Sequence, residues 1–251
     1  MRSLALILVL SVLVATPALA DLYGTVDVVY NGYAPQTGVV IYTYTMPLIT
    51  DGGVAHLELS NVTGVPVWWE SYLTGSVDSF CIDVADYTPP IGRVVEYDVV
   101  SLNSAPDPWA GPMGEIRARY LAELLDENWS SSLTAVEAAA LQLAIWEVVD
   151  ESHVSVADPK LAATGLDIRQ GNFYADATAA ILDTAQAMLD AIGDGVDYAG
   201  KYVALSNDDL QTSKGQMGLY QDWVVRVPVP TAVWLGVLGL SAAGLKLRKR
   251  L

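Results

Sequence analysis

Alternating apolar and polar positions dominate the chain from residue 22 to about residue 102. Segments of this kind that are rich in β-branched and aromatic residues, and that are separated by glycine-containing turn signals such as Asn31-Gly32 and Asp51-Gly52-Gly53, are typical of antiparallel strands. The pattern therefore predicts a β-sandwich or barrel lobe. The predicted strands cover residues 22–30, 39–44, 54–59, 65–69, 79–84 and 94–102.

Helical spacing replaces the alternation after a segment rich in Pro, Gly and Asp at 104–114. It predicts one helix over 115–128 and another that opens on the capping box formed by Thr134 and Glu137 and runs to about Val149. A third apolar stripe predicts a helix over 173–192. Alternation returns at 202–205 and 221–225, which predicts two more strands.

This order of elements predicts an α+β fold in which a helical lobe is inserted into an antiparallel β-sandwich or barrel lobe. The β lobe is expected at about 21–103 and 200–226, and the helical lobe at about 114–193. We expect the two lobes together to form one domain over 21–226.

The first 20 residues have the three parts of a secretory signal peptide. Arg2 gives a basic start, residues 4–14 form a short apolar run, and Ala18-Leu19-Ala20 provides a small-x-small end before Asp21. The apolar run is too short to span a membrane as a helix. The sequence therefore predicts export and a mature chain that begins at Asp21.

The last 25 residues, 227–251, combine a Pro motif, an apolar stretch with Trp234 and a basic end. The motif is Val227-Pro228-Val229-Pro230, and the basic cluster would hold the tail on the cytoplasmic side of an inner membrane. The alternative is an ordinary single-pass anchor. The three elements in this order resemble the PEP-CTERM sorting signal. That resemblance implies a Gram-negative exporter, cleavage by an exosortase near the Pro motif, and delivery to the cell surface or extracellular matrix.

Charge narrows the range of partners. The chain has 29 acidic and 13 basic residues, which gives a formal net charge of −16. Five of the basic residues lie in the two removable ends and none of the acidic ones do, so the domain between them carries 8 − 29 = −21. Such a surface repels nucleic acid and stays soluble through self-repulsion. We expect no nucleic-acid partner.

A single cysteine, Cys81, lies in this exported chain. Cysteines in oxidising compartments usually pair, so an odd one indicates an intermolecular bond, a reactive thiol or another covalent fate. The alternative is a buried residue that only packs. On the predicted 135–149 helix, Gln142 shares one face with Ile145 and Trp146. A glutamine on an apolar face is either hydrogen-bonded to neighbouring backbone or changed chemically.

One such change joins the two residues. A thiolate can attack the side-chain amide of glutamine, release ammonia and leave an internal thioester, provided that the site is dry. The segment Phe80-Cys81-Ile82-Asp83 on a predicted strand and the helix motif Gln-x-Ala-Ile-Trp at 142–146 resemble the bacterial surface thioester domains. The resemblance implies that Cys81 and Gln142 form the cross-link, with Phe80, Ile145 and Trp146 excluding water.

The expected function is thus that of an exported, adhesin-like surface or biofilm-matrix protein. It would couple covalently to an amine or hydroxyl on a protein or polysaccharide target and would not turn over, so we expect no enzyme. The sequence contains no pattern for a cofactor or metal site. Two alternatives remain: a matrix-binding protein of the same fold without a thioester, and a cysteine hydrolase. His153 is the candidate base that would assist acyl transfer, and His56 is the other histidine.

Overall fold

The computed structural model describes residues 22–43, 46–84, 86–105, 112–151, 165–207 and 220–227. Within these ranges the chain has seven strands and four α-helices. The strands are β1 Leu22–Thr43, β2 Met46–Thr63, β3 Gly75–Cys81, β4 Val94–Ser101, β5 Phe173–Asp176, β6 Tyr202–Ser206 and β7 Trp223–Arg226. The helices are α1 Val67–Glu70, α2 Glu115–Asn128, α3 Ala135–Asp150 and α4 Ala179–Asp190, and Leu102–Ser104 forms a 3₁₀ turn.

The strands form one antiparallel sheet that closes on itself. Its order is β2-β3-β7-β6-β4-β1-β5, and β1 also pairs with β2. The additional pairing joins the two sides of the sheet into a ring-like arrangement that is not a true barrel. The short strand β5 extends the sheet beside the distal part of β1. The predicted α+β class with an antiparallel β lobe is confirmed.

Helix α3 lies at the centre of the molecule. It packs against β1, β2, α2 and α4, and every side chain from Ala138 to Asp150 is buried. The predicted capping box is present: Glu137 N donates to Thr134 Oγ1 at 3.2 Å, and Thr134 N donates to Glu137 Oε2 at 2.8 Å. The box satisfies two of the backbone donors that the first helical turn leaves without partners.

Replacing the cap is expected to weaken this helix. Thr134→Ala removes the side-chain acceptor and should lower the free energy of unfolding by about 1 kcal/mol. Urea denaturation followed by circular dichroism measures the change. Ser132→Ala, just outside the helix, is the matched control and should leave stability unchanged. Equal losses in both variants would contradict a specific role for the cap.

Two predicted turns in the β lobe are wrong. Asn31-Gly32 lies inside β1, where the register with β2 shifts between Tyr30 and Tyr33 and Gly32 has φ +105°. The positive φ of Gly32 thus accommodates a local irregularity in a continuous strand and does not form a turn. Asp51-Gly52-Gly53 lies inside β2. A Cβ at Gly52 would meet Ala139 of α3 at 3.2 Å, so this glycine permits a close approach of helix and strand.

Two predicted elements also differ. Residues 65–69, predicted as a strand, contain the start of the short helix α1. The predicted helix over 173–192 divides into β5 and α4. In β5 the side chains alternate between buried and exposed, and the strand pairs with Val40–Thr43 of β1. The helix begins only after Thr178, because the earlier residues are held by the sheet.

Candidate functional site

Cys81 is the last residue of β3 and is fully buried. It lies opposite Trp223 of β7. The next residue, Ile82, donates its N–H to Asp222 O at 2.9 Å. Hydrogen-bonded and non-bonded pairs alternate along an antiparallel ladder. The backbone N–H and C=O of Cys81 therefore point away from β7, toward the side on which β2 lies.

Strand β2 does not reach these two backbone groups, and Gln142 of α3 takes its place. The β2–β3 ladder ends at the pair Ala55 and Ser79. Two residues beyond, Cys81 N donates to Gln142 Oε1 at 3.0 Å, and Gln142 Nε2 donates to Cys81 O at 2.8 Å. The side-chain amide thus occupies the position of a neighbouring strand's peptide group. Two residues that are 61 positions apart in the chain form a closed pair of hydrogen bonds.

The thiol of Cys81 is held close to its own strand end. Its Sγ donates to the backbone oxygen of Asp83 at 2.8 Å, and Asp83 N donates to Sγ at 3.4 Å. Burial raises the pKa of this thiol well above its usual value, and the negative charge of Asp83 raises it further. A hydrogen-bonding interaction with Trp146 opposes both effects. The resting sulfur is therefore a neutral thiol at neutral pH.

Trp146 and Ile145 complete the helix face beside the pair. Both are buried, and Trp146 follows Gln142 by one helical turn. The indole ring lies 6.4 Å from the ring of Phe173. Its Nε1 has no hydrogen-bond partner of good geometry in the described part of the chain, although the ring lowers the pKa of Cys81. The N–H is thus a buried donor that can favour negative charge on the sulfur.

Phe80 is buried on the other side of the strand from the cysteine. Successive side chains of a strand point to opposite faces. Phe80 packs edge to face against Trp129, with ring centroids 5.0 Å apart. It therefore covers the outer face of the strand end and does not lie beside the sulfur.

Three further aromatic residues lie near the thiol. The sequence pattern placed them in strands but gave them no role in the site. Trp223 stacks on Tyr30 with ring centroids 5.8 Å apart, and its Nε1 donates to Tyr97 Oη at 3.3 Å. Burial raises the pKa of both tyrosines, and the cysteine contributes to each shift. Strand alternation is the signal that places them on one face. They leave little room for water around Cys81.

Of the remaining candidate residues, the structure describes Val227 and His56 but not the other three. His153, Pro228 and Pro230 lie outside the described residues. Val227 is buried, and its N–H donates to Lys201 O at 2.8 Å.

His56 pairs with Asp78 at 2.8 Å on the face of β3 opposite Cys81, so it does not contact the thiol. The predicted signal peptide and sorting segment, apart from Val227, also lie outside the described ranges.

The described ranges lack two further features. They contain no group of three or more His, Cys, Asp or Glu side chains placed to hold a metal ion. None of their helices has the length and apolar character needed to cross a membrane. Comparison of the chain with known protein families, with curated proteins and with solved structures found no match.

Proposed function

We propose that this is an exported surface or matrix protein in which Cys81 and Gln142 form an internal thioester for covalent attachment to a target. The observation that carries the proposal is the pair of hydrogen bonds, at 3.0 and 2.8 Å, between the Gln142 amide and the Cys81 backbone. They hold the amide against the residue that bears the nucleophile, in a fully buried site. Such positioning replaces much of the entropy cost of bringing two groups together.

The same contacts supply the chemistry of thioester formation. The sulfur leaves Asp83 O and attacks the amide carbon of Gln142 while its proton passes to the amide nitrogen. The Cys81 N–H, already on Oε1, stabilises the oxyanion of the tetrahedral intermediate. The C–N bond then breaks, ammonia leaves, and the S–C bond remains. The indole N–H of Trp146 favours the thiolate needed for attack, against the effect of burial.

In the reaction with a target, the sulfur of Cys81 is the leaving group, whereas in thioester formation it is the nucleophile. A neutral amine, or less readily a hydroxyl, attacks the Gln142 acyl carbon, and the Cys81 N–H again holds the oxyanion. The C–S bond breaks, and the proton lost by the nucleophile restores the thiol. The product is a stable amide or ester to the target, and the protein is consumed. We therefore class it as a single-use adhesin and not as an enzyme, with no cofactor required.

The route to the surface follows from the two termini. The signal peptide at 1–20 would direct export through the inner membrane of a Gram-negative bacterium. The segment 227–251, similar to a PEP-CTERM signal, would hold the chain there until an exosortase cuts near Pro228 and Pro230. The released domain would join the cell surface or the biofilm matrix, where the target amine or hydroxyl is a protein or polysaccharide.

A second function has its own support. The Gln142 amide is already satisfied by the Cys81 backbone, which meets the hydrogen-bonding need of a buried glutamine without any covalent change. The protein would then bind its matrix without covalent chemistry. A cysteine hydrolase has less support, because the thiol is neutral and His56, the one histidine in the described ranges, pairs with Asp78 on the opposite face.

Intact mass of the secreted protein tests the proposal. We expect a mass lower than that of the processed sequence by one ammonia, and methylamine should add its full mass while releasing one titratable thiol. Cys81→Ala and Gln142→Ala should each abolish both effects. Gln221→Ala is the matched control: this second buried glutamine accepts hydrogen bonds from Tyr33 and Thr88 and should not alter the chemistry.

One outcome would overturn the thioester and favour the noncovalent alternative. It is an untreated protein with the full sequence mass whose Cys81 titrates as a thiol once it is denatured. Hydrolysis of a peptide or ester substrate that continues over many turnovers and is lost in His153→Ala would instead favour the hydrolase.

A further inference from the structure

A pocket of about 340 Å³ with both polar and apolar lining residues opens on the face of β3 opposite Cys81. Ser76 and Asp78 of β3 form one wall, and Tyr72, just after α1, forms another. Trp129 and Arg226 line the part nearest Phe80, whose ring contacts Trp129. The volume is at the lower end of the range for small-molecule sites. No part of the thioester chemistry uses this pocket.

Hydroxyl groups in the pocket are available to a ligand. The residues that line it include Ser71, Tyr72, Ser76 and Ser131. Within the described part of the chain, none of these four hydroxyls takes part in a hydrogen bond to another protein group. Tyr72 as a whole residue is 39% exposed. The pocket thus offers several neutral donor–acceptor residues beside one partly exposed aromatic residue.

The charged groups of the pocket balance each other. Arg226 lies over the Trp129 ring at 4.4 Å and donates to Trp129 O at 2.6 Å, which fixes its position. Asp78 accepts from His56 through Oδ1 and keeps its second oxygen for a ligand. One carboxylate and one guanidinium give the pocket no net charge, although the whole chain carries −16. A neutral ligand matches this balance better than an anion or a cation.

We infer that the pocket binds a short segment of a neutral polysaccharide. A sugar ring presents an apolar C–H face that can stack on Tyr72, and its hydroxyls match the serine hydroxyls and the Asp78 carboxylate. The inference does not rest on the thioester. It supplies a noncovalent mode of matrix binding, located on the outer side of the strand that ends at Cys81.

Binding measurements on the full secreted protein carrying Cys81→Ala test this inference without covalent reaction. Isothermal titration calorimetry would use cellotetraose, maltotetraose and tetra-N-acetylchitotetraose as neutral probes, with tetragalacturonate as the anionic comparison. We expect saturable binding of at least one neutral probe and weaker binding of the anion. Tyr72→Ala and Asp78→Asn should each weaken that binding by about tenfold or more.

Tyr87→Ala is the matched control, because Tyr87 is an 80% exposed tyrosine outside the pocket. It should leave saccharide affinity unchanged. The inference is overturned if no neutral probe binds, if tetragalacturonate binds best, or if Tyr87→Ala weakens binding as much as Tyr72→Ala does. Because the thiol is absent throughout, these results are separate from the fate of the thioester proposal.

Discussion

The free energy of unfolding of Gln142→Ala is expected to be about 2–4 kcal/mol lower than that of Cys81→Ala, although both variants lose the thioester. Removing the amide leaves the buried N–H and C=O of Cys81 without partners and opens a cavity at the fully buried helix face. Cys81→Ala keeps the peptide group, so both hydrogen bonds to Gln142 survive. The comparison therefore separates the structural role of the amide from its chemical role.

Urea denaturation of both variants at one pH measures the difference, provided that the slope of the transition is unchanged. Gln142→Glu supplies a second comparison if Gln142→Ala does not fold. At low pH, a protonated carboxyl can donate to Cys81 O and accept from Cys81 N, so stability should approach that of Cys81→Ala. Stability should fall as the pH rises above about 4.3, because the unfolded chain then loses this proton while the buried acid keeps it. Equal stability of Gln142→Ala and Cys81→Ala would contradict the structural role.

Glu147→Gln is expected to stabilise the protein at neutral pH. Glu147 is fully buried in α3. Burial raises its pKa to about 9, with further increases from the charges of Glu151, Asp167 and Asp150. One hydrogen bond opposes the shift: Asp167 N donates to Oε1 at 2.8 Å, while Oε2 has no partner in the described part of the chain.

The direction of the effect follows from proton binding. In the unfolded chain this carboxyl ionises above its ordinary value of 4.5, whereas in the folded protein it keeps its proton until the pH approaches about 9. The folded state therefore binds more protons in this window, and stability is full below pH 4.5 and falls as the pH rises. A glutamine at position 147 keeps a side-chain oxygen that accepts from Asp167 N, and it does not titrate. The gain at pH 7 is at most about 3 kcal/mol.

Unfolding free energies measured between pH 5 and pH 8.5 test this prediction. Glu147→Gln should flatten the decline that the unmodified protein shows over this range. Glu137→Gln on the same helix is the matched control, since hydrogen bonds from the Thr134 backbone and side chain lower the Glu137 pKa. That substitution should not raise stability at neutral pH. An unchanged pH profile in Glu147→Gln would contradict the assignment of a buried neutral acid.

The elements whose signals are local were predictable from the sequence. Helix α2 covers the predicted residues 115–128, and α3 begins at the predicted capping box. Both depend on side chains within one or two turns of each other. Residue type and helix position also indicated Cys81 and Gln142 as a candidate pair.

The sequence-based predictions were wrong where contacts between residues far apart in the chain determine the local structure. Gly52 reads as a turn residue, but its role is to admit Ala139 of α3 close to β2. Phe173 reads as the start of a helix, but pairing with Thr43 holds it in β5. Phe80 was expected to exclude water beside the thiol, but it packs against Trp129, which lies on a separate part of the chain. No local pattern contains these contacts.

The sequence by itself determined the class of fold, the capped central helix and a chemical reason to connect a lone thiol with one glutamine. The tertiary structure alone decided that the β2–β3 ladder ends at Ala55 and Ser79, before Cys81, and that the Gln142 amide fills the vacant hydrogen-bonding position. It also closed the sheet into a ring through the pairing of β1 with β2. The physical reason is that helix capping and periodicity act over a few residues, whereas strand pairing and helix–sheet packing join residues that are far apart in the chain.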